Sequence, residues 1–206
     1  MKVLMLNGSP RTEGNTYTAL AEIGRQLREE GIDYEIVQLG SGPVRDCIGC
    51  GCCTEEGCVF TDDGVNKFIR KAREADGFIF GTPVYYAHAS GRIISFLDRV
   101  FYSSGSVFAY KPGAAVAVAR RAGTTSAFDE LNKYFTISNM PVVSSSYWNV
   151  AYGCQKGETV MDAEGLRTMR NLARNMAWLL RCIESGKKSG AVHPAAERGE
   201  MTNFIR

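Results

Sequence analysis

"KVLMLNGSPRTEGNT", Lys2 to Thr16, decides the fold of this chain. Its first residues, Lys2–Leu6, form a short apolar run bounded by polar turn residues, the mark of a buried strand. A loop rich in glycine and hydroxyl groups follows and opens a helix. There Leu20, Ile23 and Leu27 recur at helical spacing from Asn15 to Glu30, until Gly31 stops the run. In a doubly wound sheet, ligands sit beyond the carboxyl ends of strands, where the winding direction reverses. A loop that leaves such an end and starts a helix presents free N–H groups and a positive dipole end, which together favour an anion. Ser9 and Thr16 supply hydroxyls, Asn15 an amide and Arg11 a guanidinium fork suited to phosphate oxygens. Gly8 and Gly14 let the backbone turn where a side chain would collide. Neither G-x-x-x-x-G-K-[ST] nor G-x-G-x-x-G is present here, which argues against triphosphate hydrolysis and against a dinucleotide across a Rossmann crevice.

The same alternation continues to the far end. "YEIVQL" (Tyr34–Leu39) reads as a second strand at an edge, and "TDDG" places carboxylates at a helix start ahead of Val65, Phe68, Ile69 and Ala72. "GFIFGT" (Gly77–Thr82) is continuously apolar, as a central parallel strand should be. Ile93, Ile94, Leu97 and Phe101 mark the next helix, and "AAVAVA" (Ala114–Ala119) the fourth strand. Phe128, Leu131 and Phe135 lie on a further helix. "PVVSSSYW" (Pro141–Trp148) is expected to hold the fifth strand, and Leu166 to Ile183 a long final helix. Five strands alternating with five helices call for an α/β doubly wound parallel sheet with helices on both faces. The domain is expected to span residues 1–186, with a tail at 187–206 that could reach a second copy.

A chain of 206 residues, 45% hydrophobic and 22% charged, has enough apolar material for one full core. A formal net charge of +2 gives no long-range field for nucleic acid or an anionic membrane, so neither is expected as a partner. No stretch has the roughly 20 apolar residues of a membrane span. The first residues do not read as a secretory signal. A cytoplasmic setting is expected, where clustered cysteines favour metal or redox roles over structural bridges.

Three segments, each behind its strand, carry a resemblance. "GSPRTEGNT" (Gly8–Thr16), "GTPVYYAHASGRIISFLDR" (Gly81–Arg99) and "ARRAGTT" (Ala119–Thr125) resemble the corresponding loops of the flavodoxin-like NAD(P)H-dependent FMN reductases. The similarity extends to about Gly186. It implies a five-stranded sheet of order 2-1-3-4-5 with FMN at the switch point between strands one and three. It further implies that Ser9, Arg11, Gly14, Asn15 and Thr16 hold the phosphate, while Pro83, Val84, Tyr85 and Tyr86 line the flavin ring. Arg120, Arg121 and the amides around Gly123 are candidates to offset negative charge at the ring's polar edge. Tyr147 and Trp148, after the fifth strand, are expected to border the pocket. No side chain is needed as a general acid or base. His88 and His193 read as bystanders, and Asp98–Arg99 as an architectural pair.

"DCIGCGCCTEEGC" (Asp46–Cys58) holds five of the seven cysteines. The spacing Cys47-x2-Cys50-x2-Cys53-x4-Cys58 leaves Cys52 out of register and suits an iron–sulfur cube, whose ligands must wrap one small object. Gly49, Gly51 and Gly57 relieve the crowding of that wrapping. Zinc usually asks for two knuckles separated by a longer loop, and a Cys50–Cys53 disulfide also fits the spacing. The pattern resembles the compact motif of the iron–sulfur flavoproteins, yet many plain reductases of this fold carry a similar loop with no established cluster. Three functions therefore stand at this point, the last of them a flavodoxin-like binding or regulatory module with no redox turnover. The first is hydride transfer from NAD(P)H through FMN to a quinone, free flavin or other small acceptor. The alternative is a carrier passing single electrons between FMN, a [4Fe-4S] cluster and a protein partner. A homodimer or homotetramer is expected from the resemblance.

Overall fold

Strand β1 (Lys2–Asn7) is an interior strand of the sheet in the computed structural model, which describes residues 1–197, 199–200 and 202. Val3, Leu4, Met5 and Leu6 are all fully buried, because helices cover both faces of the sheet. β2 (Asp33–Gln38) pairs with one side of β1 and stays half-exposed, as an edge strand does. β3 (Gly77–Tyr85) pairs with the other side, then β5 (Gly113–Ala119), then the short β6 (Val150–Tyr152), all parallel. The order β2-β1-β3-β5-β6 is the expected 2-1-3-4-5 once β4 (His88–Ala89) is set aside. β4 is an added antiparallel partner of β3.

Side chains alternate across this sheet with period two. Leu4, Leu6, Phe78, Phe80, Ala115 and Ala117 face one core with α2 (Val65–Arg73), α3 (Gly91–Ser104) and α4 (Thr124–Ile137). Val3, Met5, Ile79, Ala114, Val116 and Val118 face the other with α1 (Asn15–Glu29) and α5 (Ala163–Lys188). Phe80 stacks on Phe135 at 5.2 Å, and Phe68 meets Phe96 edge-on at 5.5 Å. Each fully buried phenylalanine contributes about 1.5–3 kcal/mol by area alone. β5 opens on glycine for a steric reason: a Cβ on Gly113 would lie 2.5 Å from the Phe135 ring.

The fifth strand is displaced from its expected place. Of Pro141–Trp148, only Val142 makes a parallel bridge, to Gly113, and the strand proper begins at Val150. Buried Asn149 interrupts the run: its amide donates to the Ala115 carbonyl at 3.1 Å, while Ser145 turns its hydroxyl to Thr168 O at 2.6 Å. Hydroxyl and amide side chains here compete for backbone partners that a ladder would otherwise take. Tyr147 and Trp148 consequently precede β6 and lie away from the carboxyl ends of the strands. α5 runs on to Lys188, so a boundary after 186 falls inside its last turn. Beyond it, His193 stacks on Tyr110 at 4.3 Å, and the Tyr110 hydroxyl donates to Pro194 O. Residues 198, 201 and 203–206 of the expected tail lie outside the described residues. Among the described residues no helix is long and apolar enough to cross a membrane.

Candidate functional site

Where β1 ends, its loop is laced to the segment after β3. Gly8 N–H donates to Gly81 O at 2.8 Å, and the buried Ser90 hydroxyl donates to Gly8 O at 3.1 Å. A Cβ on Gly8 would stand 2.8 Å from Ile93 Cβ, so only glycine permits this approach. Ser9 is buried; its N–H is held by the Asn7 side chain, and its hydroxyl accepts from Arg11 N–H at 3.1 Å. Gln38 on β2 braces the turn by donating to Ser9 O. Gly14 precedes α1 with no side-chain cap, so no side chain competes for the first-turn N–H groups. Thr16 is buried on that turn and Arg11 is exposed at its rim.

Asn15, at the start of α1, also bonds across to a second loop. Its amide donates to Gln155 O at 2.9 Å and its carbonyl oxygen accepts from Thr159 N at 3.3 Å. It thus fastens the loop after β6 to the loop after β1. Glu158 stiffens the same turn by accepting from Cys154 N and Gln155 N, and these two bonds hold its carboxyl below the usual range.

The segment expected to border the flavin ring is a hairpin. β3 continues through Pro83 and Val84 to Tyr85, turns at Tyr86 and Ala87, and returns as β4, with Tyr85 opposite His88. Tyr86 (φ 50°) and Ala87 (φ 64°) are both left-handed, the requirement of a tight two-residue turn. Such backbone costs about 1–3 kcal/mol per non-glycine residue and persists only where its surroundings hold it. Ala89 N–H donates to the Glu130 carboxylate at 2.6 Å, and Ser90 N–H to the Thr82 hydroxyl at 3.0 Å. The loop after β5 abuts the tip: a Cβ on Gly123 (φ 82°) would lie 2.6 Å from Ala87 Cα. Three loops therefore meet at one end of the sheet. Tyr86 is 98% exposed and Tyr85 46%, while Arg120 and Arg121 are exposed and make no ion pair among the described residues.

The cysteine loop lies over the middle of α3. Cys47, Cys50, Cys53 and Cys58 line one hollow with Phe60, Arg99 and Tyr102. Cys52 is turned away, its thiol donating to Cys50 O at 3.3 Å. Gly49 (φ 63°), Gly51 (φ 66°) and Gly57 (φ 127°) take backbone conformations that suit glycine. Cys50 and Cys53 are not bridged, and among the described residues no three ligand-type side chains stand close enough to grip an ion as placed. Burial pushes the Cys53 thiol up, and the neighbouring Cys58, Cys50, Cys47 and Cys52 push it the same way. Thiols gathered so that their thiolates would repel one another suit a cationic iron centre.

Two side chains shape this loop, and neither role was evident from its own sequence neighbourhood. Asn66 on α2 accepts from Cys58 N at 2.9 Å and donates to Cys58 O at 2.7 Å. Arg99, fully buried, donates to Cys58 Sγ at 3.3 Å, Arg45 O at 3.3 Å, Phe60 O at 3.1 Å and the Asp63 carboxylate. The expected Asp98–Arg99 pair does not form. Successive helical residues point to different faces, so Asp98 accepts from the Tyr134 hydroxyl instead. Burial, then that bond, pushes the Tyr134 phenol up.

An anion-ready first loop beside a hairpin from the third strand, at the carboxyl edge of a 2-1-3-4-5 sheet, defines a flavodoxin-like mononucleotide-binding protein. The chain belongs to the NADPH-dependent FMN reductase family, whose model matches residues 1–155. It is thus an FMN-dependent oxidoreductase of that family, with NADPH as co-substrate. It is 36% identical to an iron–sulfur flavoprotein of Methanocaldococcus jannaschii over 193 residues, 89% of this chain and all of the relative. An iron–sulfur flavoprotein of Methanosarcina thermophila is 25% identical over 193 residues, covering 91% of this chain and 99% of the relative. Among solved structures, RosB with a bound riboflavin-5'-phosphate derivative superposes with a TM-score of 0.70 at 15% identity, covering 100% of this chain and 93% of RosB. The NAD(P)H:quinone oxidoreductase of Methanothermobacter marburgensis gives 0.66 at 18% identity, over 85% of this chain and 96% of that one. These two likenesses bear on the fold.

Proposed function

We propose that this oxidoreductase pairs its flavin site with a [4Fe-4S] cluster held by Cys47, Cys50, Cys53 and Cys58. The observation that carries this reading is the gathering of those four thiols, without Cys52, around one hollow lined also by a buried guanidinium. α3 supports both sites: its first turn packs on Gly8 through Ile93, and its middle reaches Cys58 through Arg99. Those two residues lie roughly 9 Å apart along the axis at about 1.5 Å per residue.

Bound FMN supplies the redox chemistry, taking a hydride from NADPH and giving up electrons singly or in pairs. The chain's own groups position it. Ser9, Thr16, Arg11, Gly14 and the first-turn N–H groups of α1 hold the phosphate, with Asn15 fixing the adjoining loop. Pro83, Val84, Tyr85 and Tyr86 set the edge of the ring, and Arg121 with the backbone at Gly123 offsets negative charge there. No side chain is assigned a proton-transfer role.

A second reading, delivery to a small acceptor such as a quinone or free flavin, is favoured by the open hairpin tip at Tyr85 and Tyr86. Anaerobic NADPH oxidation with a quinone, in wild type and Cys53→Ser, separates the two. The cluster reading expects a broad blue absorbance that bleaches with NADPH and is missing from Cys53→Ser, with little quinone turnover. Equal quinone turnover in both proteins and no such absorbance would reject it in favour of the second. A homodimer or homotetramer covering the exposed Tyr86 belongs to the same account; a monomer on gel filtration opposes it.

A further inference from the structure

We propose that Arg99 is a positioning residue for the cysteine site, closing the loop around it and setting its electrostatic potential through Cys58; this rests on the cluster reading above. Three observations carry it. Arg99 is 1% exposed, so its charge is little screened by water. Its Nε–H donates to the Sγ of Cys58, itself the buried member of the four. Its remaining donors reach Arg45 O and Phe60 O, the two ends of the cysteine loop, and the carboxylate of Asp63. One guanidinium thus ties both ends of the loop to α3 and places a cation against one ligand sulfur.

A hydrogen bond or a positive charge at a cluster sulfur stabilises the more negative, reduced form and raises the reduction potential. Asp63 is the counterweight, because its carboxylate faces the other side of the same guanidinium. The two residues should therefore move the potential in opposite directions, whereas loop packing alone has no such sign. A lysine at 99 keeps the charge but has lost the planar fork that spans Arg45, Phe60 and Cys58.

The test uses full-length protein, reconstituted anaerobically with iron and sulfide, as wild type, Arg99→Met, Arg99→Lys and Asp63→Asn. Bound FMN per chain reports the intact fold, iron per chain reports occupancy, and spectroelectrochemical titration reports the cluster potential. Arg99→Met is expected to shift the potential negative, Asp63→Asn to shift it positive, and Arg99→Lys to fall between Arg99→Met and wild type. Where Arg99→Met retains FMN but too little cluster to titrate, recovery of iron in Arg99→Lys supports the role of the charge, and where both lose it the sign of the Asp63→Asn shift decides. Where Arg99→Met fails to fold, Asp63→Asn decides, since it removes only the counter-charge; an unchanged or more negative potential there overturns the proposal. Wild type that holds FMN and takes up no iron sinks the cluster reading itself. Iron-loaded wild type with the same potential as Arg99→Met and Asp63→Asn sinks only the role of Arg99.

Discussion

At the strand ends, backbone does the positioning. Gly8 bonds to Gly81, Gly123 abuts Ala87, and the hairpin hangs from a ladder that the core already fixes. Over the middle of α3, side chains do it: Asn66 and Arg99 hold a loop that has little regular structure of its own. The proposed flavin cleft is thus as firm as the sheet, while the cysteine hollow depends on two residues from neighbouring helices. Damage to the loop should leave the cleft intact, and the reverse need not hold, because Ile93 and Arg99 share one helix.

The sharpest way to break that asymmetry is at the thiols. Cys53→Ser is expected to lose nearly all iron while keeping FMN, and Cys52→Ser to keep both; iron and flavin analysis after anaerobic purification reads the difference. On the cleft side, Gly8→Val forces a side chain into Ile93. Overpacking is expected to cost about 1–3 kcal/mol of stability, read by denaturant titration, and to weaken FMN binding as the loop is pushed from its place, measured by flavin fluorescence quenching. Asn66→Ala leaves the Cys58 backbone without its partners and should cost about 1–3 kcal/mol. It should show as faster iron release with FMN affinity unchanged; a parallel fall in FMN affinity would mean that the two regions are one unit. Ala87→Gly has the smallest expected effect. Relief of the left-handed backbone, offset by glycine's extra chain entropy, leaves it neutral to about 1 kcal/mol more stable in a denaturant titration.

The same contrast governs what could be read without coordinates. Apolar runs place the first four strands, because a sheet covered on both faces demands continuous apolar residues in its middle, while their order follows from the family resemblance. Cysteine spacing separates the four hollow-lining residues from Cys52, because a ligand loop wraps at short, regular intervals. The β3–β4 hairpin was hidden, since "VYYAH" lacks the Asn-Gly or Asp-Gly of a tight turn. Tyr86 and Ala87 adopt that turn under constraint from Glu130, which lies far along the chain. The fifth strand slipped because Asn149 takes ladder partners with its side chain. Sequence adjacency pairs Arg99 with Asp98, whereas its partner Asp63 meets it only after α2 and α3 pack.

Metal and flavin content of one anaerobic preparation bears most directly on the central claim that this sheet carries two redox sites. Stoichiometric FMN is expected together with iron and acid-labile sulfide, the last two vanishing in Cys53→Ser and surviving in Cys52→Ser. FMN at full occupancy with no iron in the wild-type chain, under reconstitution conditions, would contradict it.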